Sequence, residues 1–353
     1  MKRWTSFRIP AAWGRSGSLA LFLLFGIFIF STSRQKTPPQ PKNHLGNPDS
    51  CDGFEYAANI VVSVKTGATE AAEKIPPQMR TTLRCIKNTI IFSDLEQDIG
   101  EYHLHDALDT VSSSVVTSNP DFKFYTEQQE LWKSRHDISS LKGVINPQKP
   151  DDLAAWKLDK YKFIHVLEKT WAMKPDMDWY FVIDADTYVL WPNMLRWLST
   201  MDPMKKSYFG SEVQISGVRF AHGGSGIILS RAAMHELVVA NHRTAEKWDP
   251  KTYEKCCGDL VLGEALKEYG IQLQDVWPLM SGETPFTMPF GPGTPEYWCR
   301  PALTMHHLTA VDMTELAKFE DESKVKSVSL DLKSDRSWLI GVCVGEFDAC
   351  RVI

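Results

Sequence analysis

Trp179-Tyr-Phe-Val-Ile-Asp184-Ala-Asp186-Thr-Tyr-Val-Leu190 is the stretch whose reading decides the fold. Its unbroken apolar and aromatic run predicts a buried parallel strand. The run ends in two carboxylates one residue apart. Ligands of open α/β sheets bind beyond the carboxyl ends of the strands, which is where Asp184 and Asp186 would stand. Two acids packed together repel and are costly to desolvate, so the pair needs a counter-charge. A divalent cation carrying a diphosphate supplies one, because Mg2+ and Mn2+ favour one or two carboxylates plus phosphate oxygens. The plainer alternative is a strand that ends in a solvated turn.

Working outward, the 353 residues, 43% hydrophobic and 11% aromatic, suffice for one large α/β domain or two smaller ones. A net charge of −5 without a basic stripe argues against a nucleic-acid partner. The 12 tryptophans give slight support to a carbohydrate-handling surface. Residues 1–15 are basic (Lys2, Arg3, Arg8, Arg15), and Ser16 to Ser33 carry no charge. That reads as a cytoplasmic tail and a short transmembrane signal anchor at 16–33, with a cleaved signal peptide as the rival. Residues 34–50 hold Pro38, Pro39, Pro41 and Pro48 among polar residues, the composition of an extended stem. Anchor, stem and a globular part at 51–319 make the layout of a Golgi type II membrane protein with a lumenal domain. Residues 320–353 form an extension without an assigned role.

Seven cysteines fit an oxidising compartment. The odd count leaves one thiol free or paired between chains, and the latter would make a homodimer. Cys256 and Cys257 are expected to pair with different partners. No Cys/His finger spacing points to zinc.

Asn59 to Val64 and Thr89 to Ser93 predict two more buried strands with polar tips at Lys65-Thr66-Gly67 and Asp94. Between them, Ala71 to Lys87 reads as partly helical, broken at Pro76-Pro77. The GxGxxG phosphate loop is absent, which argues against a dinucleotide enzyme. Gln97 to Pro150 reads as mixed connections. Leu153, Trp156, Phe163, Ile164, Leu167 and Trp171 fall at helical spacing, with Lys and Asp on the other face. His222-Gly-Gly-Ser-Gly-Ile-Ile-Leu-Ser230 is either a tight hairpin or a loop closely approached by something else. Ser230 is a plausible N-cap. Cys256 to Gly270 predicts a helix with Asp259 at its cap. Leu303 to Leu308 reads as a strand, on which only one of His306 and His307 could face a shared site.

These blocks, in this order, resemble glycosyltransferase family 31, the fringe and core-1 β1,3-galactosyltransferase group. Asp184-Ala-Asp-Thr-Tyr-Val189 is similar to its metal-binding block, Gly223-Gly-Ser-Gly to its Gly-Gly-Ala-Gly loop, and Gly258-Asp259-Leu-Val-Leu-Gly263 to its acidic block. Thr304-Met-His306-His-Leu, followed by Met313-Thr-Glu-Leu316, resembles its late Phe-His block. Val62-Ser-Val-Lys-Thr66 and Phe92-Ser-Asp94 resemble its opening strands. Coverage runs from about Asn59 to Leu316. Ala185 replaces the family's middle acid, Gly258 replaces the acid before Asp259, and the acceptor-determining regions diverge.

The resemblance implies a GT-A-type, Rossmann-like mixed sheet flanked by helices, behind one transmembrane helix and a stem. It implies an inverting, metal-dependent transfer of a hexose, galactose first, from a UDP-sugar to a glycan or glycoprotein acceptor in β1,3 linkage. Asp184, Asp186 and His306 would hold Mn2+, with Mg2+ as second choice. Asp259 would be the general base, its pKa lowered by the helix dipole. Thr66, Asp94, Asp184, Gly223 and Gly224 would contact the donor, and Trp298 the acceptor. A non-catalytic relative that binds or chaperones a transferase is the alternative, and an EF-hand-type calcium module is disfavoured by spacing.

Overall fold

A computed structural model describes residues 51, 53–138, 141, 144–146, 149–288 and 300–329. The expected tail, anchor and stem, Trp298, and residues 330–353 lie outside the described residues. No described helix is long and apolar enough to cross a membrane.

The strands are β1 (Ile60–Lys65), β2 (Thr89–Ser93), β3 (Gln97–Ile99), β4 (Tyr102–Asp106), β5 (Val144–Asn146), β6 (Lys149–Leu153) and β7 (Trp179–Asp184). They continue with β8 (Tyr188–Val189), β9 (Tyr208–Gly210), β10 (Glu212–Ile215), β11 (Val218–Ala221), β12 (Ile227–Ser230), β13 (Leu273–Asp275) and β14 (Thr304–Met305). The helices are α1 (Ala71–Arg80), α2 (Ser113–Ser118), α3 (Lys123–Lys133), α4 (Ala154–Met173) and α5 (Trp191–Leu198). After them come α6 (Arg231–Met234), which runs into a π-helical turn, α7 (Thr244–Thr252), α8 (Gly258–Glu268) and α9 (Ala310–Ser329).

Eight strands form one sheet in the order β13-β9-β12-β7-β1-β2-β4-β3. Its centre is parallel, β1 lying between β2 and β7, while β12 runs antiparallel to β7 and to β9. This is the mixed α/β sheet flanked by helices that the sequence predicts. The central strands bury both faces, so side-chain alternation feeds two cores. Val61, Tyr180 and Val182 join the cluster beneath α4, α7 and α8. Val62, Val64, Trp179, Phe181 and Ile183 join the one beneath α1 and α5. Each wholly buried side chain of this size contributes roughly 1.5–3 kcal/mol, so β7 anchors both layers.

Four expectations change. First, α1 runs unbroken through Pro76 and Pro77. The lost backbone bonds are offset by tertiary anchors: Ile75 is buried, and Gln78 Nε2 donates to the carbonyls of Asp184 (2.9 Å) and Thr187 (3.1 Å). Second, Gln97 to Pro150 contains β4, which extends the sheet parallel to β2, and a β3–β4 hairpin at its edge. Short, polar strands carry no alternation strong enough to read. Third, α4 does not turn its lysines to solvent. Lys160 and Lys162 are buried, and Trp156 is 61% exposed, because ion pairs and carbonyls inside the fold draw the ammonium groups in. Fourth, Cys256 and Cys257 are bonded to each other, and Cys51 bonds to Cys85. Adjacent in the chain, the two residues have Cα atoms 3.8 Å apart. Cys299, Cys343 and Cys350 lie outside the described residues.

The expected boundary after residue 319 falls inside α9. Tyr188 donates to the buried Glu320, and Arg84 pairs with Asp321, so the start of the supposed extension is part of the fold. Ser230 caps α6 by accepting from Ala233 N at 3.2 Å.

Candidate active site

Register brings the first two charges together. Lys65 and Asp184 are partners at the tips of the parallel strands β1 and β7, so their side chains leave the same face of the sheet. Lys65 Nζ lies 2.8 Å from Asp184 Oδ1 and 2.7 Å from Asp159 Oδ2, which α4 delivers from above. Burial alone would lower the Lys65 pKa, but the charges of Asp159 and Asp184 outweigh it and raise it. The same Asp159 lies 3.7 Å from Lys162 Nζ, and the two lysines hold its carboxyl below the ordinary range against burial's upward push.

The second acid sits within a tight turn closed by Thr187 N donating to Asp184 O at 3.0 Å. Pairing of β14 with β8 then carries the late histidines to it, and Leu308 N donates to Asp186 O at 3.1 Å. His306 Nε2 sits 3.0 Å from Asp186 Oδ1 and 3.8 Å from Asp184 Oδ2. On its other oxygen Asp186 meets Lys74 Nζ of α1 at 3.2 Å. Burial pushes the Asp186 pKa up, but the bond to His306, that ring's charge and then Lys74 outweigh it and hold it well below the carboxylate range.

The two-faces argument for His306 and His307 fails here. The strand ends at Met305 and His307 adopts φ 60°, so the chain turns and the rings lie side by side, tilted by 39° with centroids 3.8 Å apart. Both face the same cluster. Asp186, His306 and His307 offer ligand atoms that all lie within 4.8 Å of one another. A carboxylate with two imidazoles, and Asp184 at hand, is a donor set that suits a divalent ion of intermediate hardness, Mn2+ included.

The glycine-rich segment is a close-approach loop. A Cβ on Gly224 would fall 2.1 Å from His306 Cε1, and one on Gly223 2.7 Å from Phe163 Cζ. The loop is tied down by Thr187 Oγ1, which donates to Gly224 O at 2.8 Å, and by Thr304 Oγ1, which donates to Ser225 O at 2.7 Å. On its far side Gly223 N donates to Asp259 Oδ2 at 2.9 Å. Consecutive residues of one loop therefore touch His306 and Asp259.

Asp259 is not the cap. Cys257 occupies that position, and Asp259 lies inside the first turn of α8. Its Oδ1 accepts from Leu260 N at 2.9 Å. The expected lowering of its pKa is also overturned. Burial pushes the carboxyl up, and the amides of Gly223 and Leu260 and the charge of Lys65 do not offset that push. A helix dipole acts within one turn and is worth under about 1 kcal/mol in most settings, so desolvation wins. The neighbouring Gly258 has no room for the acid that the related block carries: a Cβ there would lie 2.4 Å from Phe163 Cδ2 and 2.5 Å from Lys160 O.

The remaining candidates sit deeper. Thr66 is buried, and its carbonyl accepts from Lys162 Nζ at 2.8 Å. Asp94 has no accessible surface; its Oδ1 accepts from Ala68 N at 2.6 Å, and Lys162 Nζ is 3.9 Å away. Lys65, Lys74, Asp159 and Lys162 are not among the residues the sequence singles out, and the two-faces argument sets His307 aside. Lys65 carried a usable signal, as a charge at the tip of a strand next to the acid-tipped one. Asp159 and Lys162 read as a solvated helix face, so nothing in the sequence singled them out.

Residues 56–280 match the family model described as Fringe-like. The match covers more than half of the chain, which therefore belongs to the Fringe-like family, a family of glycosyltransferases.

Proposed function

From that membership we infer that this protein is an inverting, metal-dependent glycosyltransferase that moves a hexose, galactose first, from a UDP-sugar to a glycan or glycoprotein hydroxyl in β1,3 linkage. It acts in the Golgi lumen behind an N-terminal membrane anchor. The observation that carries the reading is the pair of contacts made by one loop: Gly224 against His306 of the acid–imidazole cluster, and Gly223 N on Asp259. An electrophile site and a base site are thereby held a fixed, short way apart.

Asp184, Asp186, His306 and His307 would hold Mn2+, whose chemistry is to neutralise the charge that grows on a diphosphate leaving group. Asp259 takes the proton of the acceptor hydroxyl, a role typically worth about 10²–10⁴-fold. Its raised pKa makes the ionised form a stronger base than an ordinary aspartate, so proton removal can keep pace with bond breaking. The two backbone amides fix which lone pairs remain for the acceptor. Lys65 holds Asp184 in place through an ion pair supported by Asp159.

The test measures UDP release from a panel of UDP-sugars with and without Mn2+. Asp186→Ala and Asp259→Asn should each abolish transfer, and only the first should weaken Mn2+-dependent UDP binding. Equal loss of UDP binding in both variants would refute the division of roles.

A further inference from the structure

At the far edge of the sheet, β4 presents His103 and His105 two residues apart, hence on one face. The β3–β4 register sets Asp98 directly opposite His103, and Asp98 Oδ1 lies 2.7 Å from His103 Nδ1. The turn before β3 supplies Glu96. Its Oε2 accepts from Asp106 N at 2.8 Å, which leaves Oε1 facing both rings, 2.7 Å from His103 Nε2 and 3.6 Å from His105 Nδ1. The rings meet edge to face with centroids 4.6 Å apart. One backbone bond, one carboxylate and one sheet register thus bring three donor atoms together. Those atoms lie within 4.8 Å of one another.

We propose that Glu96, His103 and His105 form a second divalent-metal site, specific for a borderline ion such as Zn2+, which staples the β3–β4 hairpin to the end of β2. Two imidazoles and a carboxylate are donors that Zn2+ favours. Asp98 on the outer nitrogen of His103 supplies the carboxylate–histidine support that fixes a ligand's tautomer and direction. A structural ion-pair cluster explains the arrangement less well. Glu96, His103 and Asp98 are each about half exposed or more, and exposed pairs contribute little to stability. A groove of about 410 Å³ lined by Glu96, His105, Asp106, Asp109 and Lys169 opens beside the cluster and leaves room for a water ligand. Imidazoles ligate a metal only when neutral, so affinity should fall as pH drops.

The experiment titrates Zn2+ into the full-length protein against a chromophoric chelator. The double variant His103→Ala/His105→Ala should bind one equivalent fewer than the wild type and keep its Mn2+-dependent turnover. Asp98→Asn should keep the equivalent and lose about 10- to 100-fold in affinity. If the double variant fails to fold, His105→Gln carries the test: Zn2+ should raise the Tm of the wild type by more than that of the variant, which keeps only the Asp186–His306–His307 cluster. Equal stoichiometry in wild type and double variant, or equal Tm rises in wild type and His105→Gln, would overturn the proposal.

Discussion

Gly224→Ala tests the link between the loop and the acid–imidazole cluster most directly. The new methyl would fall 2.1 Å from His306 Cε1 and 2.5 Å from both ring nitrogens. Ordinary carbon contact begins near 3.5 Å, so the imidazole must retreat by roughly 1.4 Å. It cannot do so in place, because His306 is buried and packed against the His307 ring, so its 3.0 Å contact with Asp186 opens. Overpacking of this kind costs about 1–3 kcal/mol of stability. A misplacement of about 1 Å can cost about 10²-fold in rate, equivalent to about 2.7 kcal/mol in the barrier. Gly223→Ala is the control. Its methyl would meet Phe163 at 2.7 Å rather than His306, so it should destabilise without altering metal dependence. The assay pairs thermal unfolding with calorimetric Mn2+-dependent UDP binding for both variants. If Gly224→Ala binds Mn2+ and UDP as tightly as Gly223→Ala, the loop does not position His306 for an ion, and the reasoning fails.

His306→Ala should remove most Mn2+-dependent UDP binding, and His307→Ala should weaken it by less, since His307 is the exposed member of the pair; unchanged binding in His307→Ala would take that ring out of the site. The acid limb of kcat/KM should lie above the ordinary aspartate value of about 3.9, because Asp259 must lose a proton that burial helps it keep. The same raised pKa means that the folded state binds the extra proton, so this group's contribution to stability is present below about pH 3.9 and is lost as pH rises through the folded value. Urea unfolding across that range should show the loss in wild type and not in Asp259→Asn. Lys65→Met strands two acids beside each other. It should cost about 2–3 kcal/mol, less than a wholly buried pair, because Asp159 and Asp184 remain 27% and 26% exposed. Lys65→Met/Asp159→Asn should recover part of that loss in urea unfolding, and additive losses would refute the coupling.

Much of the sheet was legible because its central strands are buried on both sides. Continuous apolar runs such as Ile60–Val64 and Trp179–Ile183 need no partner to be recognised, and the Asp-Ala-Asp end marked where a ligand would meet them. The hairpin at the edge was not legible, since β3 and β4 alternate weakly and carry polar residues even at buried positions such as Gln97 and Asp106. His307 was misjudged for a local reason: a positive φ at one residue ended the strand that the two-faces rule assumed.

Sequence by itself determined the apolar runs, the acids at their tips and the glycines that must stay small, because these follow from burial and backbone sterics within a few residues. Tertiary structure decided the pairings of charge. Lys65 meets Asp184 only through strand register, and Asp159 reaches them only through the placement of α4. Whether Asp259 becomes a weaker or a stronger base was likewise settled by how deeply α8 is buried. Desolvation depends on everything packed around a group, and no stretch of neighbouring residues encodes it.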